Sequence, residues 1–248
     1  MAKRTMIGLG AAGALAAAAT GVTVMRNQKS PVEMPATLRA KATVCVESNF
    51  PLVDGMTRGC FTPAQFDALR DRPVVAGDGA PTEVNLAGRN AADQANVART
   101  CAEYDAMIAE GWYALSSADM RREEYFKRAC GALSMLVDAR PARSSHFTDG
   151  RADEADVRSL ARAQTFSLGE ASADPAEVLR VEAGVWKLAT AESETIVYEI
   201  AHADFTGDGL GEILAYVSTG AVAGTARGGA IGLMEKPSAG GPCAFSPR

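Results

Sequence analysis

VWKLATAESETIVYEIAHADFTGDGLGEILAYVST, residues 185–219, decides how the end of this chain folds. Its three apolar runs, VWKLAT, TIVYEIAHA and EILAYVST, alternate and are rich in β-branched and aromatic residues. That is the pattern of strands whose successive side chains point to opposite faces. GGAIGLMEKP, residues 228–237, supplies a fourth strand. The links are short and glycine-rich, so residues 184–248 are expected to form a small antiparallel β-meander.

Upstream the apolar period changes from two to about 3.6, and residues 43–183 are expected to be mainly helical. Thr62-Pro63-Ala64-Gln65 starts a helix running to about Arg70: Thr62 caps, Pro63 suits the first turn and Gln65 holds the capping-box position. Residues 73–90 read as loop with one strand. Val97, Cys101, Tyr104 and Ile108 make one face of a helix over 92–110, which Gly111 stops. A second helix starts at Ser116, carries a stripe of Met120, Phe126, Cys130, Leu133 and Val137, and ends before Pro141. The two are expected to pack as an antiparallel hairpin. A weaker helix covers 155–164, and Asp174-Pro175-Ala176-Glu177 starts another. The expected fold class is therefore α+β, a helical hairpin region followed by a small antiparallel β-meander.

The chain has 248 residues, an ordinary apolar fraction of 47% and a net charge of −5. That is enough to bury a core without cysteine staples, and too acidic for a general nucleic-acid or anionic-membrane binder. The first residues, MAKRTMIGLGAAGALAAAAT, have a positive start at Lys3 and Arg4, an apolar run from Met6, and small residues at 16–19. Residues 1–25 read either as a cleaved export signal or as an anchor using 6–25, just long enough to span a bilayer. Both send the folded part out of the cytoplasm, to the periplasm or beyond, and leave the N-terminal segment as the one membrane contact. Residues 26–42, with Pro31 and Pro35, are the tether.

An exported chain is expected to oxidise its cysteines. Cys101 and Cys130 lie on the apolar faces of the two helices expected to pack together, which favours a bridge; Cys45 with Cys60 is a weaker second pair. Cys243 is left over, although it could replace either partner, since spacing does not fix connectivity. No C-x-x-C occurs, and His146 and His202 are the two histidines, so a zinc site is not expected.

The segment ADFTGDGLGEILAY, residues 203–216, gathers oxygen side chains at alternate positions. Calcium takes six to eight hard oxygens from a flexible loop. Asp204, Thr206, Asp208, the carbonyl of Leu210 and Glu212 can all point inward around one ion, and Gly207, Gly209 and Gly211 allow the backbone to turn that tightly. Three carboxylates this close repel one another unless a cation sits between them. The competing reading is a glycine-rich hairpin turn whose acids cap backbone amides. The segment resembles the calcium loop of FG-GAP and VCBS-type repeats, D-x-[ND]-x-D-G-x-x-[DE], which joins two strands. The resemblance implies a Ca²⁺ site at these residues but covers only this loop. Thr206 stands where those repeats carry Asn or Asp, and a single copy implies no propeller. An EF-hand is excluded because its twelfth position, where Glu belongs, is Ala215.

No nucleophile elbow or phosphate loop is present, and GLGAAG at 8–13 lies inside the export segment. Ser144-Ser145-His146 reads as a polar loop and His202 as a partly buried strand residue. The expectation is an exported, non-catalytic envelope protein with no assignable catalytic residue, a calcium-clipped sheet and a disulfide-linked helical pair. It would bind another protein or a cell-surface component. The alternative is an exported hydrolase with the acidic loop near its active site.

Overall fold

The computed structural model describes residues 43–88, 95–162, 177–223 and 227–248. Residues 1–25, expected as a leader or anchor, residues 26–42, expected as a tether, and residues 174–176 lie outside the described residues. The strands are β1 (Val44–Val46), β2 (Gly59–Phe61), β3 (Val84–Leu86), β4 (Asn96–Ala98), β5 (Ser144–Ser145), β6 (Glu177–Glu182), β7 (Val185–Ala189), β8 (Ser193–Ala203), β9 (Leu210–Ala221), β10 (Arg227–Glu235) and β11 (Ala244–Pro247). The helices are α1 (Pro63–Leu69), α2 (Cys101–Ala109), α3 (Ser117–Asp138) and α4 (Glu154–Arg162).

This arrangement corrects the expected α+β class. The described residues are mostly β: a nine-stranded sheet and a separate β3–β4 pair outweigh the four helices. The meander is longer than expected, with β6 through β11 each antiparallel to the next. The sheet also recruits strands from the region expected to be helical. β9 occupies one edge of β8 along its whole length, so β7 and β1 share the other edge, and β2 pairs beyond β1. β5 pairs in parallel with the first residues of β9.

Local chemistry sets where each helix starts. Thr62 and Gln65 close the capping box on α1. Ser116 caps α3, accepting from the Asp119 amide at 3.0 Å. The helix expected over 92–110 begins only at Cys101, because Thr100 takes the cap and the Glu103 carboxylate accepts from the Thr100 amide at 3.1 Å. Val97 therefore falls in β4. The helix expected from Asp174-Pro175 does not extend through Glu177, where β6 begins and pairs with β7. Met120 is 50% exposed, so the buried stripe of α3 begins further along, at Phe126.

Both faces of the sheet are covered. One packs Ile200, Leu214 and Leu233 against Phe66, Phe126 and Leu133 of α1 and α3. The other packs Trp186, Val197, Ile213, Val217 and Met234 against Phe147 and against Val157 and Leu160 of α4. Ile213 and Leu214, adjacent on β9, are both fully buried because they enter opposite cores. Rising numbers on α2 meet falling numbers on α3: Cys101 bonds Cys130, and Tyr104 meets Phe126 and Glu123. The pair therefore runs antiparallel.

Candidate metal centre

The acidic segment is the turn between β8 and β9, the two longest strands, held in register by the Ala203–Glu212 pair. Gly207 (φ 84°) and Gly209 (φ 92°) take left-handed conformations that a side chain would strain, and so let the chain reverse. Asp204 accepts the Gly207 amide at 2.6 Å on Oδ1 and the Gly209 amide at 3.0 Å on Oδ2. Asp208 Oδ1 accepts from the Leu210 amide at 2.7 Å. Glu212 accepts the Phe205 amide at 2.8 Å on Oε2 and the Thr206 hydroxyl at 3.2 Å on Oε1.

Asp204, Asp208 and Glu212 bring carboxylate oxygens within 4.8 Å of one another, a group that could hold a metal ion. Asp204 and Glu212 are each 5% exposed, whereas Asp208 faces solvent. Thr206 contributes here as a donor to Glu212, and Leu210 gives its amide to Asp208 while pairing with Ser144. The turn thus satisfies its own amides, and each carboxylate oxygen keeps lone-pair capacity for a cation.

Burial is the main force holding the Glu212 carboxyl above the ordinary carboxylate range. The Phe205 amide and the Thr206 hydroxyl pull the other way, and the charges on Asp208 and Asp204 push it further up. A cation among these oxygens would reverse that balance. Two basic residues not singled out from the sequence flank the turn. Arg140 pairs its backbone with Asp204 in both directions, at 2.8 and 3.0 Å. The Arg143 amide donates to the Gly209 carbonyl at 2.9 Å, and its methylenes lie beside Gly209.

Next to the turn lies a contact between residues 57 apart in sequence. His202 Nε2 is 3.0 Å from Ser145 Oγ. A Cβ at Gly150 would stand 2.8 Å from the imidazole Nδ1, and one at Gly211 would overlap Nε2, so both glycines are needed to seat the ring. Burial lowers the His202 pKa, with Glu47 opposing. Glu47 is itself paired with Arg151 at 2.7 Å. Ser145 Oγ also accepts from the Phe147 amide at 3.1 Å. No motif links Ser145 to His202, and the β5–β9 and β8–β9 pairings together bring them into contact.

Two disulfides are present. Cys101–Cys130 joins α2 to α3, and Cys45–Cys60 joins directly paired residues of β1 and β2. Cys243 is a buried free thiol, pushed up to about 12 chiefly by burial. Two disulfides fit an oxidising compartment. Among the described residues no helix is long and apolar enough to cross a membrane. No family model, no curated protein and no solved structure matches the chain.

Proposed function

We propose that this is an exported, non-catalytic protein, periplasmic or secreted, whose β8–β9 turn is clipped by a structural Ca²⁺ ion. The observation that carries this reading is the convergence of the Asp204, Asp208 and Glu212 carboxylates within 4.8 Å. Thr206 and the Leu210 carbonyl would complete a set of hard oxygens suited to calcium. The clip would fix the register of the sheet's central hairpin, leaving the rest of the surface to bind an envelope protein or a cell-surface component.

Extracellular calcium modules bind in the range of about 10⁻⁴ to 10⁻³ M. At a hundredfold excess over Kd, Ca²⁺ should raise the melting temperature by about 5–10 °C relative to chelator. Asp208→Asn should abolish that shift while leaving the chelator-treated melt close to wild type. An identical wild-type melt in Ca²⁺ and in chelator would eliminate the proposal.

A second reading is favoured by the Ser145–His202 contact beside the turn: an exported hydrolase in which Ser145 is the nucleophile and His202 the general base. Burial lowers the imidazole pKa, which favours the neutral form a base requires. A fluorophosphonate probe should then label Ser145, and His202→Gln should stop the labelling. An unlabelled serine would make the contact a hydrogen-bonded brace between β5 and β8.

A further inference from the structure

Arg128, on α3, is 7% exposed and sits between that helix and the sheet. A guanidinium keeps its charge there, and taking a cation out of water costs several kcal/mol unless it is paired. No carboxylate pairs with it among the described residues. Nη2 donates to the carbonyls of Pro51 at 3.2 Å and Val75 at 3.3 Å, the Tyr216 hydroxyl is a further hydrogen-bond partner of the guanidinium, and the enclosed Nε has no partner.

Aromatic rings surround it instead. The guanidinium carbon lies 4.8 Å from the centroid of Phe50, 4.9 Å from Tyr125 and 5.4 Å from Tyr216. Tyr198 and Tyr216 are directly paired on β8 and β9, and Phe50 contacts both, at 4.7 and 5.0 Å between centroids. Gly229 on β10 lies against the Tyr216 hydroxyl, where any Cβ would collide with it. The three tyrosines are half-buried, so the cluster reaches solvent while its positive charge stays recessed. Ring faces and two neutral carbonyls offset part of the desolvation cost but do not neutralise the charge.

We propose that Arg128 and the Phe50, Tyr125, Tyr198 and Tyr216 rings form a recognition site for a small organic carboxylate with a flat apolar body. The carboxylate would accept from the Nη donors that the Pro51 and Val75 carbonyls and the Tyr216 hydroxyl leave free, and the body would lie against the tyrosine rings. This site lies apart from the acidic turn and does not depend on calcium.

The test uses the mature chain and three probes of one shape: benzoate, neutral benzamide and cationic benzylamine. Titration followed by tyrosine fluorescence and calorimetry should show benzoate binding at least tenfold more tightly than benzamide, with benzylamine not binding. Benzoate affinity should fall at least tenfold in Arg128→Met and about threefold to tenfold in Arg128→Lys, which keeps the charge but loses the planar fork. Benzamide binding as tightly as benzoate, or neither binding, overturns the proposal and makes Arg128 a cation–π pin between α3 and the sheet. That comparison needs only the wild-type protein, so it stands even if Arg128→Met fails to fold.

Discussion

The α2–α3 pair and the β8–β9 turn are stabilised in opposite ways. The helical pair is joined by a disulfide and by rings inside an apolar core, with Tyr104 and Phe126 5.3 Å apart between centroids. Neither salt nor cations should alter it much. The turn holds three carboxylates against one another and uses them to receive its own amides. On the proposed reading its stability follows protonation and cations. One fold thus contains a region fixed by covalent closure and area burial beside a region poised on charge.

The largest expected effect lies in the first region. Phe126 is fully buried, and Phe126→Ala should cost about 3–5 kcal/mol, read as a shift in denaturation midpoint that calcium does not rescue. Removing the Cys101–Cys130 bridge, whose cysteines are 29 residues apart, should cost about 3.5 kcal/mol, again without ion dependence. A calcium-dependent loss in either variant would break the contrast.

In the turn, Asp204→Ala removes the acceptor for both the Gly207 and Gly209 amides. It should cost about 2–3 kcal/mol in chelator, and more in Ca²⁺, because a ligand is lost as well. A loss of equal size in both conditions would show that Asp204 serves only as a cap.

A smaller effect should appear with pH. The folded-state pKa of Glu212 is raised, mainly by burial, so the native state holds this proton more tightly than the unfolded chain does. Its contribution is therefore complete below the ordinary carboxylate range and lost as pH rises through the raised value. Glu212→Gln should flatten that fall when wild type and variant are melted in chelator across the same pH series. Ca²⁺ should flatten it in the wild type. Parallel curves for the two proteins would refute the assignment.

The smallest change is Thr206→Asn, which exchanges a hydroxyl for the amide carbonyl oxygen of the calcium-loop pattern. It should tighten Ca²⁺ binding severalfold by calorimetry, with little change in the chelator melt. Weaker binding would mean that the Thr206 bond to Glu212 matters more than a further ligand.

Much of this molecule could be read from short-range chemistry. The caps at Thr62 and Ser116 act over three residues, and the alternation through 185–219 reports sheet faces along one strand. The grouping of Asp204, Asp208 and Glu212 follows from their spacing in one turn. By contrast, β1 to β4 are three residues long and β5 two, too short to display a period, and they exist because remote strands supply hydrogen-bond partners. That is why a region rich in helical signals contributes strands to a mostly β fold.

Residue order alone therefore determined the acidic turn, the helix caps and the strands on either side of the turn, since each depends on neighbours a few positions away. Tertiary structure alone decided the nine-stranded sheet, the Ser145–His202 contact and the ring of aromatics around Arg128. Each of those depends on contacts between residues far apart in sequence, such as Ser145 with His202 and Arg128 with Phe50 and Tyr216, whose meeting is set by which strands pair and which faces the helices cover.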